Sequence, residues 1–540
     1  LMVCLDSSHP DLIDSINLKS DIDAATKCNT SVMVDDKFME SAMNNESYEL
    51  SFYREETGLN YSKNVNARDV LKLIAKQNWN MGEPGLLFHS NINSNSIISE
   101  YKDVDIRCPN PCGEIPMQPN EACLLGSFNL SEYVFYDKDY NVYEFDEFSF
   151  YDDVCTVVNE MNIVQEESID KLPLDKQKAM AHNWKRIGIG IMGLADLFIK
   201  LGITYGSKES IELCDTIGEI MAISAIKQSM MLGEIYGSFH AFDRKAIKYS
   251  PFVIDHLGEN VEIEALRNSS LLSIAPTGTL STLLGVSGGI EPIFANSYTR
   301  KTESLNGEDT YYKVYTPIVE KFMKENKLTE EEQLPEYFVT SSDIGWKERV
   351  NVQSAWQRHI DQAISSTVNL PESATVEDIY DIYVYAYKMG IKGITVFRDN
   401  CARTGILTTE KVEKKIEEVP DNVVGKKRKL ITGCGSLHCL AYFSQSDGRL
   451  MECYLGKGST GGCLNSMNGI ARLISLSARS GGTTEEIVDQ LNSTGVCPSY
   501  AVRTATKHDT STGSCCPVAV GKALIEMHDE MLREINDGVY

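Results

Sequence analysis

Two cysteines in the first quarter of the chain are the residues with the clearest chemical potential. Cys112 stands between Asn110 and Glu114 in the string Asn-Pro-Cys-Gly-Glu, and Cys123 follows eleven residues later. Alternate side chains of an extended backbone point to the same side, so this spacing predicts that an amide, a thiol and a carboxylate converge. A carboxylate can move a proton, and a pair of thiols can deliver two electrons by closing to a disulfide.

The backbone around Cys112 is expected to form a loop. Pro111 and Gly113 disfavour a regular helix, so we predict a tight loop with Cys112 at its tip and a return to a strand near Cys123.

A second segment combines hydroxyl residues and glycine in a pattern suited to a phosphate. The apolar run 271–275 predicts a buried strand, and Pro-Thr-Gly-Thr-Leu-Ser follows at 276–281. A strand that ends in this way and then opens a helix presents backbone N–H groups and hydroxyls to an anion, although an ordinary strand-turn-helix connection explains the pattern equally well.

Taken together, these strings resemble the ribonucleotide reductases. The resemblance implies an α/β fold, a ten-stranded α/β barrel of the ribonucleotide reductase and glycyl radical type, with the Cys112 loop as a central finger. It implies Cys112 as the thiyl radical that takes the 3′ hydrogen of a ribonucleotide and Glu114 as the base on the 3′ hydroxyl. It further implies Asn110 as the anchor of the ribose hydroxyls and Cys123 as one of two reducing thiols. The 276–281 segment resembles the family's loop for the 5′ phosphates of the substrate. This resemblance implies Pro276, Thr277, Gly278, Thr279 and Ser281 as the phosphate-binding residues.

The resemblance leaves the second reducing thiol open. In the family it comes from a strand upstream of the segment that matches residues 2–11, so we expect this thiol, and the allosteric specificity site, to lie upstream of Leu1. A natural N-terminus upstream is also expected because the first residue is not methionine. Cys4, Cys28 and Cys108 are alternative partners of Cys123, although plain burial is the commoner role for such residues.

Two features favour the adenosylcobalamin-dependent class II enzymes. Class I enzymes carry two adjacent tyrosines near the end of the barrel, where this chain has Val396 and Phe397, and neither is readily oxidised. The glycyl radical motif of class III is not seen in 511–540. A class I large subunit with another relay remains the enzymatic alternative, and a nonenzymatic nucleotide-binding protein is the alternative from another class.

The last fifth of the chain holds seven of its fifteen cysteines. Thr-Gly-Cys-Gly at 432–435 and Ser-Cys-Cys-Pro at 514–517 resemble a small α+β domain named for a Thr-Ser-Cys-Pro-Asp motif, with Val518 where an acidic residue usually stands. We predict no metal site, because no Cys-x-x-Cys occurs. The cysteines weighed as zinc ligands are Cys434, Cys439, Cys463, Cys497, Cys515 and Cys516.

These patterns divide the chain into a catalytic barrel at 1–407, a charged linker at 408–429 and the cysteine-rich domain at 430–540. Helical periodicity predicts helices over 207–232 and 372–389 on the barrel. The mixed aromatic and acidic run 136–153 predicts a surface hairpin, and 393–397 a buried strand.

The glycines of the Gly-x-Gly-x-x-Gly string at 188–193 are expected to open a packed helix. We reject a dinucleotide site there, because the preceding residues 181–186 are not an apolar strand.

The composition of the chain disfavours some classes of binding partner. The net charge of −26 disfavours binding to a nucleic acid polymer, and no apolar run is long enough to cross a membrane. The fifteen cysteines without a secretory signal favour a cytoplasmic protein with reduced thiols. The resemblance adds a ribonucleotide substrate, adenosylcobalamin as cofactor, a thioredoxin-like reductant, and a monomer or homodimer.

Overall fold

The structure is a computed structural model that describes residues 1–20, 28–102, 104, 106–302, 310–329, 331–401, 417–420, 422–457, 464–506 and 511–539. The chain divides into two compact units, Leu1–Thr409 and Glu410–Tyr540. In the described part of the chain, none of the helices is both long enough and apolar enough for a bilayer crossing.

The strands of the first unit are mostly four to eight residues long. They are β1 (Met2–Asp6), β2 (Asn29–Val34), β3 (Ser47–Arg54), β4 (Leu59–Asn66), β5 (Gly85–Phe88), β6 (Cys108–Pro109), β7 (Pro116–Met117), β8 (Leu124–Asn129), β9 (Val134–Asp137), β10 (Val142–Phe145), β11 (Ile187–Met192), β12 (Ser297–Thr302), β13 (Thr310–Tyr315), β14 (Thr367–Leu370) and β15 (Gly393–Arg398).

Helices alternate with these strands. They are α1 (Leu12–Asn17), α2 (Asp36–Asn44), α3 (Ala67–Met81), α4 (His89–Ser94), α5 (Glu147–Ile169), α6 (Asp175–Trp184), α7 (Leu194–Leu201), α8 (Lys208–Tyr236), α9 (Arg244–Ile247), α10 (Pro251–Leu257), α11 (Gly278–Leu284), α12 (Pro317–Asn326), α13 (Trp346–Gln357) and α14 (Val376–Lys388), with short 3-10 turns at Leu18–Ser20, Leu130–Tyr133 and Glu331–Gln333. The helices predicted over 207–232 and 372–389 are confirmed as α8 and α14.

The long strands follow one another in a single row. β1, β2 and β5 are parallel, β15 runs antiparallel to β5, and β14 is parallel to β15. Parallel bridges continue the row from Ile364, just before β14, to Ile274, and from Leu272 to β11, which pairs with β8. The expected α/β fold is confirmed. In the described residues these ladders link eight strand segments, and the finer expectation of ten strands is not shown.

The glycines of β11 have a different role from the one predicted. All six residues of Ile187–Met192 are buried in a strand, and a Cβ on Gly190 would lie only 2.4 Å from the Ser273 carbonyl oxygen. Gly188 and Gly190 therefore allow neighbouring segments to approach closely and do not open a helix. Gly193, the last glycine of the string, is the N-cap residue of α7, so the predicted helix start is correct for this glycine alone. The sequence did not reveal this strand, because its alternating glycines also satisfy the Gly-x-Gly-x-x-Gly loop pattern.

One further expectation of the first unit needs correction. The surface hairpin is β9 paired with β10 and is shorter than predicted, because α5 begins at Glu147, where the Asp146 side chain caps the helix.

The second unit packs a sheet against helices. β16 (Val423–Thr432), β17 (Gly435–Ser444) and β18 (Leu450–Lys457) form an antiparallel sheet, and the helices are α15 (Leu464–Arg479), α16 (Thr484–Asn492), α17 (Pro498–Thr506) and α18 (Cys516–Asn536). Cys439 and Cys453 lie in the core of this unit, with their sulfur atoms 4.0 Å apart.

The basic run at 425–429 belongs to β16 and is not part of a linker. Lys426 pairs with Glu534 at 2.6 Å, and Arg428 pairs with Glu530, so alternate basic side chains of the strand meet the acidic side of α18. A pattern of solvated charges in sequence thus becomes one face of a strand. The rest of the predicted linker falls largely on 402–416 and 421, outside the described residues.

A buried lysine joins the loop before β14 to β15. Burial lowers the pKa of Lys392 to about 7, although the nearby Asp361 raises it. Lys392 is 1% exposed, and its ammonium donates to the carbonyls of Asp361 at 2.7 Å and Ile360 at 3.3 Å, and to those of Gln362 and Asn95. Without the Lys392 side chain these carbonyls would lose a hydrogen-bond donor, and an unsatisfied buried carbonyl destabilises the fold.

Replacing Lys392 tests how much its side chain stabilises the first unit. We expect Lys392→Met to lower the free energy of unfolding by on the order of 3 kcal/mol, because the buried carbonyls lose their shared donor. All four tryptophans lie in the first unit, so urea unfolding followed by tryptophan fluorescence reports on it alone. The matched control is Lys388→Met on the exposed side of α14. Equal midpoints for the two variants would show that Lys392 is not a structural support.

Candidate active site

Cys112 lies at the tip of a short hairpin. β6 pairs antiparallel with β7, so residues 110–115 form the connection between them. The Gly113 N–H donates to the Asn110 carbonyl at 2.9 Å, and Gly113 has a φ of +86°, which glycine adopts without strain. The loop tip is therefore a turn, and the extended backbone expected here was wrong.

The turn still brings the three predicted side chains together. The Asn110 side-chain oxygen accepts from the Ile115 N–H at 3.1 Å, and the Asn110 side chain also hydrogen-bonds Glu114. Glu114 in turn acts electrostatically on Cys112. The tight turn, and not strand alternation, is what places these groups side by side.

The Cys112 thiol is exposed and protonated. Desolvation raises the pKa of this thiol above its usual value, and the negative charge of Glu114 raises it further. At neutral pH the group is thus an S–H that can give up a hydrogen atom, and only a small fraction is thiolate.

Glu114 is a buried carboxylate with spare hydrogen-bonding capacity. It is 2% exposed, and its Oε2 has no hydrogen-bond partner among the described residues. Burial raises the pKa of Glu114, whereas the hydrogen bond from Asn110 lowers it. An acceptor held in this state is suited to take a proton from a bound hydroxyl.

The backbone of Glu114 is fixed to the row of strands from two sides. Its carbonyl accepts from the Ser273 hydroxyl at 2.8 Å and from the Ala363 N–H at 3.0 Å. The hairpin tip also borders a cavity of about 100 Å³, which is lined by Pro111, Cys112 and Gly113 on one side and by residues of β2, β5 and β15 on the other. This β6–β7 element, the finger hairpin, therefore lies against the row of strands.

Cys123 lies close to the strand segment that holds Glu114. If Gly188 carried a Cβ atom, that atom would lie 3.1 Å from the Cys123 sulfur and 3.0 Å from the Ser273 β-carbon. Burial raises the pKa of Cys123 to about 12, although the nearby Arg186 guanidinium lowers it. This thiol is therefore also protonated at neutral pH. A side chain at Gly188 would collide with it.

Two polar residues that the sequence did not identify position Cys123. The Gln362 side chain donates to the Ile187 carbonyl at 2.9 Å and lies 3.7 Å from the Cys123 sulfur. Arg186 donates to Gln362 at 3.1 Å and to the Pro116 carbonyl of β7 at 2.8 Å. Gln362 is distant in sequence and stands in no motif, so no local signal could have found it.

The predicted phosphate loop follows the Ser273 strand directly. Thr277 has a left-handed φ of 50°, and its hydroxyl accepts from the Gly289 N–H at 3.0 Å. Ser281 is buried and donates to the Gly278 carbonyl at 3.4 Å. Thr277 and Ser281 therefore hold the loop, whereas Gly278 and Thr279 are the exposed residues at its surface.

Close packing shapes the same loop. A Cβ on Gly288 would lie 2.6 Å from the Pro276 carbonyl oxygen, so only glycine fits there. Ser273 and Pro276 are three positions apart along the chain, a span of at most roughly 10 Å. The loop therefore begins close to the point where Ser273 holds the hairpin.

No metal centre accompanies these residues. Across the described ranges, no three His, Cys, Asp or Glu side chains are grouped in a way that could hold a metal ion. Cys463, one of the cysteines weighed as a zinc ligand, falls outside those ranges.

Comparison with known proteins places this geometry in a family. Residues 1–397 match the family described as "Ribonucleotide reductase, barrel domain", and residues 410–528 match the "TSCPD domain". The vitamin B12-dependent ribonucleoside-diphosphate reductase of Thermoplasma acidophilum is 32% identical over 438 residues, which cover 77% of this chain and 53% of that protein. The protein of the same name from Mycobacterium tuberculosis is 31% identical over 421 residues, covering 74% and 55%.

A solved structure supports the fold. The alpha subunit of the class Id ribonucleotide reductase of Actinobacillus ureae superposes with a TM-score of 0.56 at 20% identity, covering 74% of this chain and 71% of that one. The chain spans about half the length of the curated relatives it matches. Because the barrel-domain family covers well over half of its residues, the chain belongs to the ribonucleotide reductase family.

Proposed function

We propose that this chain carries the catalytic barrel of an enzyme that reduces ribonucleoside di- or triphosphates to 2′-deoxyribonucleotides by a thiyl radical mechanism that depends on adenosylcobalamin. The observation that carries the proposal is the exposed, protonated Cys112 thiol at a hairpin tip beside the buried carboxylate of Glu114. The B12-dependent reductases of T. acidophilum and M. tuberculosis support the choice of cofactor.

The site fits the proposed cofactor in one respect that can be tested on this chain. Adenosylcobalamin, when bound, supplies an organic radical that removes a hydrogen atom from a thiol. That role requires an accessible S–H, and Cys112 is an exposed thiol with a raised pKa. We therefore assign Cys112 as the group that faces the cofactor.

Three side chains then have separate roles in the proposed reaction on the ribose. The Cys112 sulfur takes the hydrogen atom from the 3′ carbon and later returns it. Glu114 takes the proton of the 3′ hydroxyl, which helps the 2′ hydroxyl to leave as water. Asn110, already bonded to Glu114, holds the ribose hydroxyls and restricts their geometry.

The two electrons come from thiols. Cys123 and a second thiol close to a disulfide, so that one ribonucleotide and two S–H groups give one deoxyribonucleotide, one disulfide and one water. A thioredoxin-like protein is the proposed donor that reopens the disulfide, and a monomer or homodimer is the proposed assembly.

The loop after Ser273 is the proposed seat of the 5′ phosphates. Exposed Gly278 and Thr279 offer backbone N–H groups and a hydroxyl, whereas Thr277 and Ser281 keep the loop in shape. Pro276 sets the start of the turn. A nucleotide whose phosphates lie here has its ribose on the side of the hairpin.

A class I large subunit is less well supported. Val396 is fully buried in β15, and neither it nor Phe397 offers a phenol that could pass a radical along the chain. A nonenzymatic nucleotide-binding protein would have no need for a buried carboxylate beside an exposed thiol, so this alternative is also disfavoured.

The roles of Cys112 and Glu114 predict different defects. In the complete gene product that contains these 540 residues, assayed without oxygen with adenosylcobalamin and a dithiol, Cys112→Ser is expected to abolish turnover because an O–H bond is too strong to replace the S–H bond. Glu114→Gln is expected to lower kcat by about 10²–10⁴ with nucleotide binding retained, because the base is lost. Cys155→Ser on α5 is the matched control and should keep wild-type activity. A Cys112→Ser variant with normal turnover would overturn the proposal.

The pH dependence of kcat is a second prediction. Glu114 must be ionised to act as a base, so activity should fall as the pH drops through its pKa, which lies above the usual value of 4.5. The Asn110 hydrogen bond stabilises the carboxylate, and its removal raises the pKa. Asn110→Ala should therefore shift the acid limb of the kcat profile to higher pH. An unmoved limb, or one at lower pH, would show that Glu114 is not the group that titrates.

A further inference from the structure

A second pair of thiols lies at the base of the finger hairpin. The Cys4 sulfur on β1 and the Cys108 sulfur on β6 are 3.2 Å apart, in strands that are distant in sequence. Disulfide sulfurs are about 2.05 Å apart, so bond formation needs a movement of little more than 1 Å. Neither thiol has a role in the reaction assigned to Cys112 and Cys123.

The pair has a defined environment. Cys4 packs with Met33, Leu87 and Ile106 in a small apolar cluster, and Cys108 is only partly buried. Cys28, just before β2, is close enough to act electrostatically on Cys4. Both thiols of the pair are partly buried, so each keeps some exposure to a small disulfide.

We propose that Cys4 and Cys108 form a separate redox-active dithiol that small disulfides oxidise to an intramolecular disulfide, which ties the finger hairpin to β1. Cys108 precedes Cys112 by four residues on the same hairpin, so the oxidised form anchors the segment that carries the reactive tip. This inference is independent of the proposed reaction, because it concerns the exchange of thiols and can be read without substrate.

The exchange balances with the named oxidant. The Cys108 thiolate attacks one sulfur of a small disulfide, forms a mixed disulfide and releases one thiolate. The Cys4 thiol loses its proton, attacks the Cys108 sulfur and releases the second thiolate. Two protein thiols and one small disulfide thus give one protein disulfide and two small thiols.

Electrostatics agree with this order of attack. The side-chain hydrogen bond between the two thiols lowers the pKa of Cys108 to about 7, against the effect of burial. The same contact raises the pKa of Cys4, and burial adds to the rise. Cys108 is therefore the nucleophile near neutral pH, and Cys4 stays protonated until the mixed disulfide has formed.

The test uses oxidised glutathione and peptide mass spectrometry on the purified chain. The wild type should give a Cys4–Cys108 cross-linked peptide. Cys4→Ser should stop at a glutathione adduct on Cys108, because the resolving sulfur is missing, and Cys108→Ser should leave Cys4 unmodified. Cys155, another partly buried thiol, is the internal control and should react far less than Cys108.

A matched pair of variants separates reactivity from mere exposure. Cys4→Ser keeps a hydrogen-bond donor beside Cys108, whereas Cys4→Ala removes it. The pKa of Cys108 should therefore rise in Cys4→Ala, and alkylation of Cys108 at pH 7 should slow by up to about tenfold for each unit of that rise. In Cys4→Ser the rate should stay near that of the wild type. A cross-link of either cysteine to Cys28, or equal reaction of Cys108 and Cys155, would overturn the proposal. Circular dichroism of each variant shows whether it is folded.

Discussion

The hydrogen bonds to the Glu114 carbonyl are the constraint on which the site depends. A hairpin of two-residue strands has little stability of its own, yet its tip must hold a thiol and a carboxylate in fixed positions. The Ser273 hydroxyl and the Ala363 N–H supply that fixation from two neighbouring strand segments. Since the segment of Ser273 continues directly into the proposed phosphate loop, this contact links the position of the hairpin to that of the proposed substrate anchor.

Desolvation shifts the pKa values of the groups proposed to react. Burial raises the pKa of Glu114 and of Cys123, and desolvation raises that of Cys112, so both thiols stay protonated while the carboxylate becomes a stronger base. Arg186 limits this effect at Cys123 and also binds the hairpin strand β7. The same residues that complete the fold therefore tune the groups proposed to react.

Local sequence predicted the features that depend on neighbouring residues. The loop with Cys112 at its tip, the strand β15 and the helix α8 followed from glycine, proline and apolar periodicity. Contacts between distant segments could not be predicted in this way. Gln362 reaches Cys123 across 239 residues, and the basic residues of β16 looked like a solvated linker until α18 provided their acidic partners. The Cys4 and Cys108 contact likewise appears only once the strands are assembled.

The central claim is that the Cys112 sulfur removes the 3′ hydrogen of a ribonucleotide and returns it. The most direct measurement compares a 3′-deuterated ribonucleotide with the ordinary substrate in anaerobic turnover with adenosylcobalamin, followed by mass spectrometry of the product. The account predicts slower turnover of the deuterated substrate and a deoxyribonucleotide that keeps deuterium at the 3′ carbon. Equal rates for the two substrates, or a deoxyribonucleotide that has lost the deuterium from the 3′ carbon, would contradict it.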